Sequence, residues 1–258
     1  MPFFSGRPSP GLSLLHKYVN LRFMPWSSNV VLIIPALDWY HCDPRLAERG
    51  EDWAAQTPRM PATLGWMLQH LRAYRVGATI GFFGESVGRF PDEIQTIAAA
   101  GLELAAMTYD AVDPWALLPG VLRDQVEKTL EAVRRLGLPA PTTFMPPFPK
   151  NQVLDQARET AMRETGIRRL VGCHGSSLPA IKLGEIVGWP LSGVYSRLAP
   201  GFTAQALIGA ARPWAWCIST MDVDPGAPGC GPFRTRSMHR FPRLLRRGFI
   251  AARDARSG

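Results

Sequence analysis

The stretch Val30–His41, VVLIIPALDWYH, joins an apolar run to a knot of polar and aromatic side chains. Val30 to Ile34 all favour or fit extended backbone, and Pro35 breaks the run just before Asp38, Trp39, Tyr40 and His41. A short apolar run bounded in this way reads as a buried strand of a parallel sheet. In α/β sheets, chemistry gathers at the carboxyl ends of such strands. The DWYH cluster is therefore expected to mark the functional end of the sheet.

Outward from this strand, the chain alternates strands with helices. Residues 42 to 60 form a polar loop longer than most connections, and loops of this length are often functional. Pro61–Tyr74 places Leu64, Met67, Leu68 and Leu71 at helical spacing. The pattern then predicts a strand at Ala78–Phe83, a turn and helix start at Gly84–Ser86, a helix at Pro91–Ala100 and a strand at Leu102–Met107. A helix at Leu122–Leu136, a strand at Thr142–Met145, a helix at Val153–Thr165 and a strand at Arg169–Gly172 follow. From Cys173 onward the pattern loosens into Gly- and Pro-rich loops, with a helix expected at Phe202–Ala211 and a last strand at Trp214–Ile218. This order predicts parallel βα units.

A chain of 258 residues suits one α/β domain. Residues 1–28, with a short apolar patch at Leu12–Tyr18, read as an irregular leading segment, residues 29–230 as the barrel and residues 231–258 as a tail packed on it. The hydrophobic fraction of 46% and the lack of a long apolar run argue against a membrane span, and the amino terminus lacks the features of a secretory signal, so a cytoplasmic protein is expected. The four cysteines form no CxxC pair, which argues against zinc-knuckle and dithiol chemistry. Residues 231–258 carry eight arginines against Asp254, which is +7 of the formal +8. With Phe241, Leu244, Leu245, Phe249 and Ile250 between them, these arginines fit the outer face of a packed helix, and no nucleic-acid partner is expected.

Several stretches in order resemble the polysaccharide deacetylases of the NodB homology fold, in the exopolysaccharide-associated branch with a DVEDWFH-type first motif. Ile34–His41 stands in the first motif, and Val76–Ala111 resembles the run that leads to the second. Thr143–Phe148 (TFMPPF), Ser192–Pro200 (SGVYSRLAP) and Trp216–Pro225 (WCISTMDVDP) are similar to the later motifs. The resemblance implies an irregular (β/α) barrel with fewer than eight strands. It also implies hydrolysis of a sugar acyl group by metal-activated water, with one carboxylate and two histidines on the metal.

Residue by residue, those groups are missing. The base position falls on Pro35, the metal carboxylate on Leu37 or Asp38, and the two histidines on Met107 and Ala111. The arginine that orients the carboxylates falls on Met145, and the general-acid histidine on Ser219. No metal and no other cofactor is therefore expected. With Met221, these replacements make an apolar floor suited to a small, partly apolar ligand.

Asp38, His41, Tyr109 and Asp110 remain as candidate proton handlers for metal-free acid/base chemistry such as isomerisation, elimination or cyclisation. Trp39, Met107, Met145, Phe148, Tyr195, Arg197, Trp214, Trp216, Ser219 and Asp222 are the candidate binding residues. Each has a structural alternative: Asp38 as a strand-end cap on backbone amides, His41 as a structural histidine, Tyr109–Asp110 as a turn. A non-catalytic protein that binds a glycan or a protein partner is the second reading, and a polysaccharide deacetylase with altered metal ligands the third. Cys173 and His174 are adjacent on an extended chain and point apart, which argues against a thiol–imidazole pair. FGESVG lacks the Lys and Ser/Thr of a phosphate loop.

Overall fold

The computed structural model describes residues 30–42, 55–147, 155–174, 181–183, 186–194, 214–224, 241–242 and 245; for 30–31, 42, 172–174, 181–183, 186–194 and 214–216 it describes the backbone alone. Strand β1 (Val30–Pro35) leads through a 3-10 turn (Trp39–Cys42) and a loop to α1 (Met60–Tyr74). Then come β2 (Thr79–Phe82), α2 (Gly84–Arg89), α3 (Pro91–Ala99), β3 (Glu103–Ala106), α4 (Pro119–Arg135), β4 (Thr143–Phe144), α5 (Gln156–Glu164) and β5 (Arg169–His174). Strands β6 (Ile181–Leu183), β7 (Ile186–Val194) and β8 (Trp214–Cys217) and the short α6 (Thr220–Val223) complete the described elements.

The strands form one curled sheet in the order β5-β4-β3-β2-β1-β8-β7-β6, with β5 also pairing with β7. All pairings are parallel except β6 with β7. The curl thus brings the two ends of the parallel run together.

Alternation along the strands builds two kinds of core. Leu32 and Ile34 of β1, with Ile80 and Phe82 of β2, pack outward against Leu64, Met67 and Leu71 of α1. Ala106, Phe144 and Leu170 pack outward against Leu122, Val126 and Leu130 of α4 and Met162 of α5. Ile33, Leu37, Phe83, Ala105, Met107, Met145, Val171 and Cys217 fill the concave side. Each fully buried aliphatic or thioether side chain contributes about 1.5–3 kcal/mol, so these faces fix which way every strand points.

The expected strand and helix order holds from β1 to β5, with small shifts at the ends. Helix α4 starts nearer the amino terminus than periodicity suggests, because Pro119 occupies a first-turn position that needs no N–H partner. Asp155 caps α5 by accepting from the Arg158 N–H, which sets its start later than Val153. The loop expected after Cys173 is the main correction: β6 and β7 lie there, so the sheet has eight strands where the resemblance implied fewer. Gly188, Pro190 and Gly193 lower strand propensity within β7, and pairing on both sides overrides it.

The helix expected at Phe202–Ala211 and the segment 1–28 lie outside the described residues. From the tail, Phe241 and Leu245 are buried in the α1 core, and the Phe241 ring stands 5.5 Å from that of Trp66. No helix among the described residues is long and apolar enough to cross a membrane.

Candidate functional site

The end of β1 is where the chain turns from sheet into loop, and its polar groups are engaged with main chain. The buried Asp38 carboxylate accepts from the N–H of Trp39 at 2.9 Å through Oδ1, and from those of Arg59 at 2.8 Å and Met60 at 2.9 Å through Oδ2. Two of these donors open α1, whose N-terminal amides have no partner inside the helix. Burial raises the Asp38 carboxyl above its ordinary range, and the three amides act against that rise.

His41 Nδ1 accepts from the Asp38 N–H at 2.9 Å, which puts the ring proton on Nε2. Its ring lies edge-on to Tyr40 and Phe83, with centroids at 4.5 and 4.8 Å. Burial, with the nearby Arg89 charge, lowers its pKa to about 3, so the imidazole is neutral at physiological pH.

The neighbouring side chains staple the far end of the long loop. Trp39 Nε1 donates to the Thr57 carbonyl at 3.1 Å, and Arg89 donates to the Tyr40 hydroxyl at 2.9 Å and to the Gln56 carbonyl at 2.6 Å. The Arg89 guanidinium also lies 5.1 Å from the Tyr40 ring centroid. Arg59 forms a two-point pair with the buried Asp224, both contacts at 2.8 Å.

The other candidate residues divide between this scaffold and the concave face. Asp110 exchanges two hydrogen bonds with Gln125 of α4, its N–H donating to Oε1 and its carboxylate accepting from Nε2, each at 2.9 Å. Tyr109 packs onto Gly84 and toward α4, where a Cβ on Gly84 would overlap the Tyr109 ring and Thr129. Ser219 and Asp222 form a reciprocal capping box at the start of α6, the Ser219 Oγ accepting from the Asp222 N–H and the Asp222 carboxylate from the Ser219 N–H. Met107 and Met145 are fully buried on the concave face with Leu37, and Ala111 and Met221 pack against them. Leu37 is held there by Thr220, whose hydroxyl accepts from the Leu37 N–H at 2.9 Å and donates to its carbonyl at 2.5 Å.

Phe148, Tyr195 and Arg197 lie outside the described residues, and so do the side chains of Trp214 and Trp216. The structure thus brings Asp38 and His41 together and sends Tyr109 and Asp110 to α4. Arg59, Arg89 and Asp224 are the organising charges that sequence reading missed. For Ser219 and Asp222, the S-x-x-D spacing was an available cap signal.

At the positions that the resemblance assigns to a metal, the residues present do not fit a hard divalent cation. Leu37 and Met107 belong to an apolar cluster, Ala111 offers no donor, and both Asp38 oxygens face amide hydrogens. Among the described residues no group of three or more His, Cys, Asp or Glu side chains converges.

Comparison with known proteins agrees with the fold. Residues 59–170 match the polysaccharide deacetylase family model. No curated protein matches the chain by sequence. Among solved structures, a family 4 carbohydrate esterase from Streptomyces lividans in complex with acetate is similar with a TM-score of 0.52 at 12% identity, covering 86% of this chain and 91% of that one. The peptidoglycan deacetylase of Bacillus subtilis is similar with a TM-score of 0.54 at 12% identity, covering 87% and 86%. A CE4 family pseudoenzyme from Bacillus anthracis is similar with a TM-score of 0.54 at 14% identity, covering 86% and 62%. The family match covers residues 59–170, and the solved structures share the curled α/β sheet, so this chain is similar to the polysaccharide deacetylases in fold.

Proposed function

We propose that this chain is a deacetylase-like protein that does not carry out metal-dependent hydrolysis and acts instead by binding a glycan. One observation carries the reading: the polar groups left at the strand ends are consumed by the scaffold. Asp38 holds α1, His41 holds the Asp38 amide, and Asp110 holds Gln125. A general base needs its lone pair directed at a substrate proton, and a hydrolytic metal needs several donors directed at one point. The likeness to carbohydrate esterases and to a pseudoenzyme of the same fold supports a retained sugar surface without turnover.

The test is a single sample of purified chain incubated with N-acetylated chitin oligosaccharide, with and without added zinc or cobalt. Saturable binding with acetate release at background is the expected result. Metal-dependent acetate release overturns the reading. Binding to a protein and to no oligosaccharide overturns the glycan part of it.

A second reading, metal-free acid/base catalysis on a small metabolite, draws on the buried Asp38 carboxyl, whose raised pKa suits proton transfer. On that reading Asp38→Asn abolishes turnover of a substrate found by metabolite screening; unchanged turnover removes Asp38 from the chemistry.

A further inference from the structure

The concave face is rich in sulfur. Met107, Met145 and Cys217 are buried in one cluster, and Met221 packs against it from α6. A Cβ at Gly81 would stand 2.6 Å from Met107 Cε and 2.6 Å from Met145 Sδ, so the two thioether ends share the space above one glycine. Register puts Cys217 on the same face: Gly81 pairs with Pro35, and Cys217 with Ile33, two residues lower on β1. Methionine is unbranched with three rotatable bonds, so its sulfur can close on an ion by changing rotamers, without backbone movement.

Thioether and thiolate donors select soft cations, Cu(I) above all, and discriminate against magnesium and calcium. Charge favours the same choice. A monovalent cation with one thiolate and neutral thioethers is a neutral unit, so an apolar site can hold it at modest desolvation cost. Burial and the Asp222 charge keep the Cys217 thiol protonated, so taking up the cation sends one proton to solvent.

We propose that Cys217, Met107, Met145 and Met221 form a binding site for a soft monovalent cation, copper(I). The site stands whether or not the chain binds a glycan, because neither the oligosaccharide nor the acetate measurement depends on copper.

The experiment is anaerobic titration of the full chain with Cu(I) supplied as its bicinchoninate complex, repeated with Ag(I) as a redox-inert probe. One equivalent withdrawn from the competitor, with a thiolate-to-copper absorption band and a raised Tm, is expected. Cys217→Ser and the volume-conserving pair Met107→Leu with Met145→Leu each weaken uptake by roughly tenfold or more, the scale seen for loss of supporting contacts at metal sites. Met67→Leu, in the separate core against α1, leaves uptake unchanged and reports any general loss of packing. No withdrawal of copper overturns the proposal, and so does uptake that these variants leave at the wild-type level.

Discussion

Asp38 is a buried carboxylate just after β1, with backbone amides on both of its oxygens. Asp38→Ala leaves those amides without their acceptor, two of them at the start of α1. Hydrogen bonds to a charged group contribute about 1.5–3 kcal/mol and a helix cap about 1 kcal/mol. A loss of about 2–4 kcal/mol is expected, read as a lower denaturant midpoint at unchanged m-value.

His41 sets a pH dependence whose sign follows from its lowered pKa. Its stabilising contribution is complete above the ordinary 6.5 and is lost as pH falls toward about 3, because the unfolded chain takes up a proton that the folded site refuses. Asp38, raised from 3.8, acts with the opposite sign: its contribution is complete below 3.8 and is lost as pH rises through the folded value. Replacing His41 with Gln is expected to flatten the fall in stability between pH 6.5 and 3, as followed by urea melts across that range. The same commitment of Asp38 bears on restoring metal. Here Met107→His with Ala111→His is expected to bind zinc poorly, and adding Leu37→Asp to tighten it by roughly tenfold or more, since three inward donors are the usual minimum. Zinc titration of the two variants compares them directly.

At the scale of elements, close approach explains why β2 carries a glycine in its middle. At Gly81 a methyl would meet Met107 Cε and Met145 Sδ at 2.6 Å. Gly81→Ala is expected to cost about 1–3 kcal/mol by overpacking, and Met145→Ala in the same chain to recover part of it. Thermal unfolding of the single and double variants measures the coupling. Helix α1 was legible from its apolar spacing and Pro61, whereas its buried carboxylate cap was not. The cap lies 21 residues from Arg59 along the chain, beyond any local capping signal. Strand β7 escaped notice for a related reason: its glycines and proline read locally as loop, and only its neighbours make it a strand.

Across the whole molecule, the inside of the curled sheet changes character from one end to the other. At the amino ends of the strands, Glu103 accepts from Thr79 at 2.8 Å and from Thr143 and Arg169 at 2.5 Å, tying β2 to β5. At the carboxyl ends lie Leu37, Phe83, Met107 and Met145. Glu103→Ala leaves two buried hydroxyls without an acceptor and is expected to cost about 1–3 kcal/mol. Thermal unfolding of the variant measures that loss as a lower Tm.

The sequence by itself determined the alternation of strands and helices from β1 to β5, and the place of the DWYH cluster directly after the strand Val30–Pro35. These follow from local propensity, from period and from the chemical identity of single residues. Tertiary structure decided what the survivors do. That Asp38 holds α1 and that Asp110 holds Gln125 depends on partners 15 to 22 residues away. That VVLIIPALDWYH ends in a scaffold knot beside a sulfur-lined face depends on how the curl brings β2, β3 and β8 around β1. Side-chain direction at a strand end is set by what the folded chain offers to bond, and no local pattern encodes that.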